Sequence, residues 1–342
     1  MPRVLFGLVE ITMLVLFALS AQFAYRSRGR TGLLELLSAV PFGLLLEQGD
    51  IAIFGSYAYN SEFFFRLGSV PLAIALAWAM IITSSMFMSD RLGIPAHWAP
   101  FSDAVFAVLL DLSLDAIAIR QGLWHWNIPL SAGFFGVPAG NFYGWLFVAF
   151  GFSLWTRRLR AHRSPDPWWP GLQLLVGFPA YVTLLVALLP FIVLQQLFFG
   201  GPTGGFPPLL FTLALFGAIT VLCLRRSSRR LPVPWRIPLL PRLLIHGYFI
   251  SAGIVLQIFG HLPILFAVSL TMLLVELSIG RRVTPAVWDD VPRPARSKPY
   301  GEEHQHGMDD RPDPQPGGVF NPSYVLPRPW SHGRDRRTGR RQ

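Results

Sequence analysis

Apolar runs close to twenty residues long follow one another from Val4 to Ile279, and a helix of that length crosses about 30 Å of hydrocarbon. The runs lie at 4–24, 33–54, 70–88, 101–121, 137–155, 171–194, 207–224, 243–258 and 262–280. In lipid every backbone polar group must be satisfied within the chain, so such segments fold as helices. The sequence predicts an all-α polytopic membrane protein with about seven to nine transmembrane helices. Two places set the range. Pro41, Glu47 and Asp50 interrupt the second run, and only a short break at Gly260 and His261 separates the last two, which could form one broken re-entrant element.

Charge usage agrees. Of 342 residues 52% are hydrophobic and 14% charged, about half the charge of an ordinary soluble domain. From Val283 to Gln342 stand 18 of the 48 charged residues and 10 of the 30 prolines. Residues 1–282 are therefore expected to form the transmembrane domain. Residues 283–342 are expected to be a disordered Pro/Arg-rich tail, too poor in apolar side chains to offset ordering entropy. His304 and His306 in that tail are an exposed pair with no further ligand nearby. The lone Cys223 has no partner for a bridge and reads as a small buried hydrophobe.

The net charge of +10 comes from 28 arginines and one lysine, grouped between apolar runs. Nucleic acid is not the expected partner, because membrane topology accounts for the groups. Alternate connections collect sixteen arginines on one side: Arg26 to Arg30, Arg91, Arg157 to Arg163, Arg225 to Arg242, and Arg281 with Arg282. The other side receives Arg3, Arg66 and Arg120. Cytoplasmic loops carry the Arg and Lys excess, so the expectation is a multi-pass protein of a bacterial inner membrane with its C-terminus in the cytoplasm. A cleaved signal peptide is the rival reading of residues 1–24. Glu10 interrupts its apolar core, and cleavage would leave the Arg26 to Arg30 group outside.

Acids inside apolar runs are the informative residues, since a carboxylate in hydrocarbon is a functional hypothesis with a partner to be found. Glu35 and Asp103 lie near expected cytoplasmic ends and Glu276 stands one turn from Arg281, so terminal pairing or snorkelling accounts for them. Glu10 has no evident partner. Glu47, Asp111 and Asp115 remain. Asp111 and Asp115 are four apart and share one helix face. Glu47 and Asp115 each lie fourteen residues into their runs, roughly 21 Å from the cytoplasmic boundary, so they can meet in the outer half of the membrane.

The flanking aromatics fall at the same level. Tyr57 and Tyr59 follow the second run, and Trp124 and Trp126 follow the fourth. An interfacial belt is the ordinary reading; two close pairs beside buried acids also suit a binding site. Gly136, Gly140 and Gly144 recur every fourth residue, a pattern that lets helices approach closely. Asn141 and Trp145 share a face beside them, and the buried amide needs a partner that the acids can supply. His125 reads as a bystander. His246 and His261 are too far apart for a paired helix metal site, and no metal or cofactor is expected.

The stretch DLSLDAIAIRQGLWHWNIPLSAGFFGVPAGNFYGW, residues 111–145, resembles the signature of membrane-embedded carotenoid biosynthesis proteins. These include the bisanhydrobacterioruberin hydratase and gamma-carotene 1'-hydratase types. Upstream, PFGLLLEQGDIAIFGSYAYNSEF and GSVPLAIALAW, through Trp78, are similar to further segments of that family. The resemblance spans roughly residues 35–155 and departs at Ala116, where the hydratases usually carry proline. It implies hydration of the terminal C=C of an acyclic C40 or C50 carotenoid end group without a cofactor. It also implies a lipophilic carotenoid substrate, membrane lipids, and other carotenoid biosynthesis enzymes as partners.

The residues suit that chemistry. Protonating the alkene needs a positioned acid, and desolvation favours the neutral carboxyl form. Asp115 is the expected donor, with Asp111 or Glu47 orienting water and Asn141 in support. Tyr57, Tyr59, Trp124, Trp126 and Trp145 can hold the substrate and face the cation. Two other classes fit the same residues: a carotenoid or lipid carrier or scaffold, and a proton-coupled transporter.

Overall fold

The computed structural model describes residues 3–162, 166, 168–227 and 238–281; the expected tail, with His304 and His306, lies outside the described residues. The first two apolar runs form the two halves of α1 (Arg3–Ile53), divided at Gly29, whose φ of 62° and ψ of −145° leave the helical region. There the chain turns back on itself. A β-carbon at Gly32 would stand 2.5 Å from the carbonyl oxygen of Ala24, so the reversal depends on glycine at that position. Its consequence is visible at the far ends. Glu10 accepts hydrogen bonds from the backbone N–H groups of Phe64 (3.1 Å) and Phe65 (2.8 Å), and Arg3 pairs with Glu62. The start of α1 therefore lies beside the loop that follows its end. This also supplies the partner that Glu10 lacked in sequence: the acid ties that loop to the first half of α1.

The later helices are α2 (Leu72–Arg91), α3 (Ala99–Gln121), α4 (Ala139–Ala161), α5 (Gly177–Phe198), α6 (Phe206–Arg226), α7 (Leu240–Val255), the single turn α8 (Ile258–His261) and α9 (Pro263–Arg281). A short 3-10 helix, Trp169–Leu175, leads into α5. Among the described residues, four helical segments are long and apolar enough to cross a membrane: Arg3–Ile53, Leu72–Arg91, Trp169–Phe198 and Phe206–Arg226. The architecture is that of an all-α membrane protein.

The last two runs are separate helices. Arg242, in the first turn of α7, reaches Glu276 near the end of α9, so the two lie antiparallel. The break between them is set by Gln257, whose φ is 54°. Sequence reasoning assigned Glu276 to Arg281 and placed Arg242 in a cytoplasmic arginine group. Among the described side chains the arginine that Glu276 meets is Arg242. Arg242 is fully buried and bonds both Glu276 oxygens from Nε at 3.0 and 2.9 Å, with Ser85 Oγ and the Phe106 carbonyl as further acceptors. A buried ion pair needs such extra bonds to offset its desolvation.

Helix α3 is the hub. It packs against α2, α4, α6, α7 and α9, and Ala104, Ala107, Ala116 and Ala118 along it are buried. Small side chains let several helices close around one axis. At one end of the bundle Arg28, Arg157 and Arg160 converge on Asp90, Asp103 and Glu35. Arginines from two separate sequence groups thus meet at a single end, as alternate-side counting requires, and Glu35 and Asp103 find the pairing expected there. Cys223 is buried in α6.

Candidate active site

At the opposite end, two connections close over the helices. Strand β1 (Tyr57–Tyr59) pairs antiparallel with a strand at Trp124–Trp126, with Tyr57 opposite Trp126 and Tyr59 opposite Trp124. Side chains alternate across a strand, so all four aromatics share one face while Ala58 and His125 take the other. His125 is exposed. The aromatic face is continuous: Tyr57 and Trp126 ring centroids are 4.7 Å apart, Tyr57 and Tyr59 5.4 Å, and Tyr59 and Trp124 5.9 Å.

Beneath this ribbon lie the acids. Glu47, from α1, accepts from the Tyr57 hydroxyl, from the Tyr59 hydroxyl at 2.5 Å and from Trp78 Nε1 of α2 at 2.5 Å. Asp115, from α3, accepts from Trp124 Nε1 at 2.7 Å and from Trp126 Nε1 at 3.2 and 3.3 Å. The ribbon is therefore docked on one acid through each strand. Asn141, in the first turn of α4, donates from Nδ2 to Asp111 Oδ2 at 2.7 Å and to Asp115 Oδ2 at 2.8 Å. The acids are the amide's partners, and one nitrogen serves two carboxyls a helical turn apart.

All three acids are buried and line a single cavity of about 1170 Å³. That exceeds the usual range for drug-sized ligands, about 300–1,000 Å³. Its walls are mostly apolar, so the carboxyls, Asn141 and the indole and phenol groups form a polar patch in a hydrophobic chamber. Trp145 lies on the same wall, its ring 4.2 Å from that of Trp78.

Every site residue singled out in the sequence lines this chamber: Glu47, Asp111, Asp115, Tyr57, Tyr59, Trp124, Trp126, Asn141 and Trp145. Trp78 was missed as a ligand of Glu47, although it closes one of the quoted motifs. The ribbon was missed too. Its signal was the two-residue spacing in Tyr-x-Tyr and Trp-x-Trp, a strand period rather than a helix period. The glycine stripe does something other than helix packing. Gly136 lies before α4 with φ of 86°, and Gly140 and Gly144 face the cavity, where the nearest atom to a Gly140 β-carbon is a Phe191 ring carbon at 3.5 Å. The close helix contact is made by Gly151, whose β-carbon would stand 3.0 Å from the Ala180 carbonyl oxygen of α5.

Residues 5–196, more than half the chain and all of the elements that carry the acids, match the family described as carotenoid biosynthesis protein. The chain belongs to that family. No curated protein and no solved structure matches it. Carotenoid biosynthesis implies a lipophilic substrate, and the mostly apolar walls of the chamber accord with that.

Proposed function

We propose that this carotenoid biosynthesis protein hydrates the terminal carbon–carbon double bond of an acyclic carotenoid end group. The observation that carries the proposal is the shared Asn141 amide, which holds Asp111 and Asp115 side by side on the wall of an apolar chamber. Hydration adds a proton to one alkene carbon and hydroxide to the other, with no net oxidation. It needs an acid, a base and a water molecule in one place.

The hydrogen bonds suggest how the pair divides the work. Asp115 accepts from Trp124, Trp126 and Asn141, so its oxygens are occupied as acceptors, the role of an ionised carboxylate. Among the described residues Asp111 accepts from Asn141 alone, at Oδ2, which leaves Oδ1 to carry a proton. In this reading Asp111 is the proton donor and Asp115 the base, an exchange of the roles expected from sequence. The Asp111 proton goes to the alkene carbon that becomes CH2, and the tertiary cation forms on the carbon bearing the two methyl groups. Water attacks that carbon and gives a proton to Asp115. The pair then holds the same single proton as before, displaced by one residue, and its return to Asp111 closes the cycle without an outside proton source.

Glu47 has three donors on two oxygens, which leaves it little room to hold water. It acts as the post that fixes Tyr57, Tyr59 and Trp78. The indole and phenol faces of the ribbon offer π-density to the cation. A carrier would use the same apolar chamber and aromatics, but it has no use for two acids bridged by one amide.

We place the arginine-rich end of the bundle in the cytoplasm, following the positive-inside rule. The acids then open toward the outer half of the bilayer, the chain crosses the membrane several times, and its C-terminus is cytoplasmic. The reading is tested by expressing the protein in lycopene-accumulating cells and weighing the pigments. A gain of one water per modified end supports it. Unchanged pigment with well-expressed, membrane-inserted protein, across several acyclic carotenoids, refutes it.

A further inference from the structure

Hydration brings together a substrate dissolved in lipid and one dissolved in water, and the cavity is open in two different ways. Some residues both line it and remain exposed, and these mark its mouths. One group is mainly apolar and comes from two helices: Leu5, Leu8 and Thr12 of α1, and Ser251 and Val255 of α7 with Leu256 at its C-terminal cap. Leu8 is 54% and Val255 78% exposed although both border the chamber. At the other end of these helices Ser20, Phe23 and Ser27 of α1 and Pro241 of α7 border only a small pocket of about 50 Å³. The open space that both helices border is thus small at the arginine-rich end and large at the level of the acids.

The second group carries the exposed side-chain amides: Asn127, beside Gly55 and the exposed Phe54 at the ribbon, and Gln196 of α5. Asn127 donates from its side chain to the Gly55 carbonyl and from its backbone to Ser56 O at 2.8 Å. Ser56 Oγ in turn donates to Asp50 Oδ1 at 2.7 Å. Asp50 stands one helical turn beyond Glu47 on α1 and also lines the cavity, so a line of hydrogen-bonding groups leads from the exposed end toward the acids.

We propose that the chamber is filled from two sides. The polyene end group slides in sideways from the bilayer between α1 and α7, while water arrives through the polar mouth at Gly55, Asn127 and Gln196. The rest of the carotenoid stays in the lipid. This rests on the hydration reading for the identity of the second substrate, and on the chamber alone for the sideways path of the first.

The test places single nitroxide labels at Ser251→Cys and at Asn127→Cys, each in a Cys223→Ser background, with the full chain in lipid nanodiscs. Collisions with oxygen report lipid, and collisions with a nickel chelate report water. The label at position 251 is expected to be accessible to oxygen and to lose several-fold of that access when lycopene is added. The label at position 127 is expected to be accessible to nickel and indifferent to lycopene. A Thr12→Trp, Ser251→Trp double variant, shown by its unfolding temperature to be intact, should cut lycopene binding and conversion at least tenfold.

If lycopene shields neither position, shields position 127 instead, or binds the double variant as well as the natural chain, the two-sided filling is wrong. If lycopene shields position 251 but no water is ever added to it, the sideways path stands and the hydration reading falls.

Discussion

Asn141 Nδ2 stands 2.8 Å from Asp115 Oδ2 while also donating to Asp111 at 2.7 Å, so α4 reaches across to α3 through one amide group. The two aspartates do not stack by chance of helix spacing alone; their carboxyls are turned toward a common donor.

Replacing Asn141 with leucine keeps the size of the side chain and removes the amide. The pair then loses its shared donor inside an apolar chamber. A positioned donor at a reacting centre is worth about 10²–10³ in turnover, and we expect a kcat loss of that order. KM for the carotenoid should change far less, because the apolar walls are untouched. Steady-state kinetics in nanodiscs checks both numbers, and an unchanged kcat contradicts the bridging role.

Asp111→Asn and Asp115→Asn should each abolish hydration while the protein inserts normally. A proton-transfer group contributes typically about 10²–10⁴-fold. The two variants should differ in one respect. Asp115→Asn turns an acceptor of three N–H donors into a group with its own NH2, so it should also lower the unfolding temperature. Asp111→Asn, whose carboxyl has a single donor, should leave stability nearly unchanged. Equal destabilisation by both would argue against the assignment of acceptor and donor.

Glu47→Ala leaves two hydroxyls and an indole without their acceptor. Each buried donor stranded in this way costs about 1–3 kcal/mol, so we expect a marked drop in unfolding temperature in detergent. Tyr57→Phe removes one bond and keeps the ring. It should destabilise less and retain most activity if the ring face, rather than the hydroxyl, serves the substrate.

The Arg242–Glu276 pair holds α7 and α9 against the back of α3. Removing either partner leaves an uncompensated buried charge and should cost about 3–5 kcal/mol. The double replacement Arg242→Met with Glu276→Leu should recover most of that loss, since apolar side chains of similar volume suit the same site. A double-mutant cycle on unfolding midpoints measures the coupling.

Much of this was legible before any coordinates. Helix runs announce themselves by hydropathy, and the reversal at Gly29 falls between two runs that sequence alone separates. Asp111, Asp115 and Asn141 were related by four-residue spacing and by the need of a buried amide for partners. What stayed hidden shares a cause, which is partnership across long sequence separation. Arg242 sits next to an arginine-rich stretch and looks like a loop residue until its partner, 34 positions later, is seen. Trp78 reads as core until Glu47, 31 positions earlier, is found on its indole nitrogen. The ribbon pairs residues from two loops that the helical pattern treats as connections. Gly140 and Gly144 have the spacing of a packing stripe, and only their place on the cavity wall shows that they border a chamber.

The most direct measurement supplies purified protein in nanodiscs with lycopene in oxygen-18-labelled water and follows the isotope into the pigment. We expect one labelled oxygen at the tertiary carbon of each modified end with the natural chain, and none with Asp111→Asn or Asp115→Asn. Unlabelled oxygen in the product, or labelled product formed equally well by both aspartate variants, would contradict acid–base hydration by this pair.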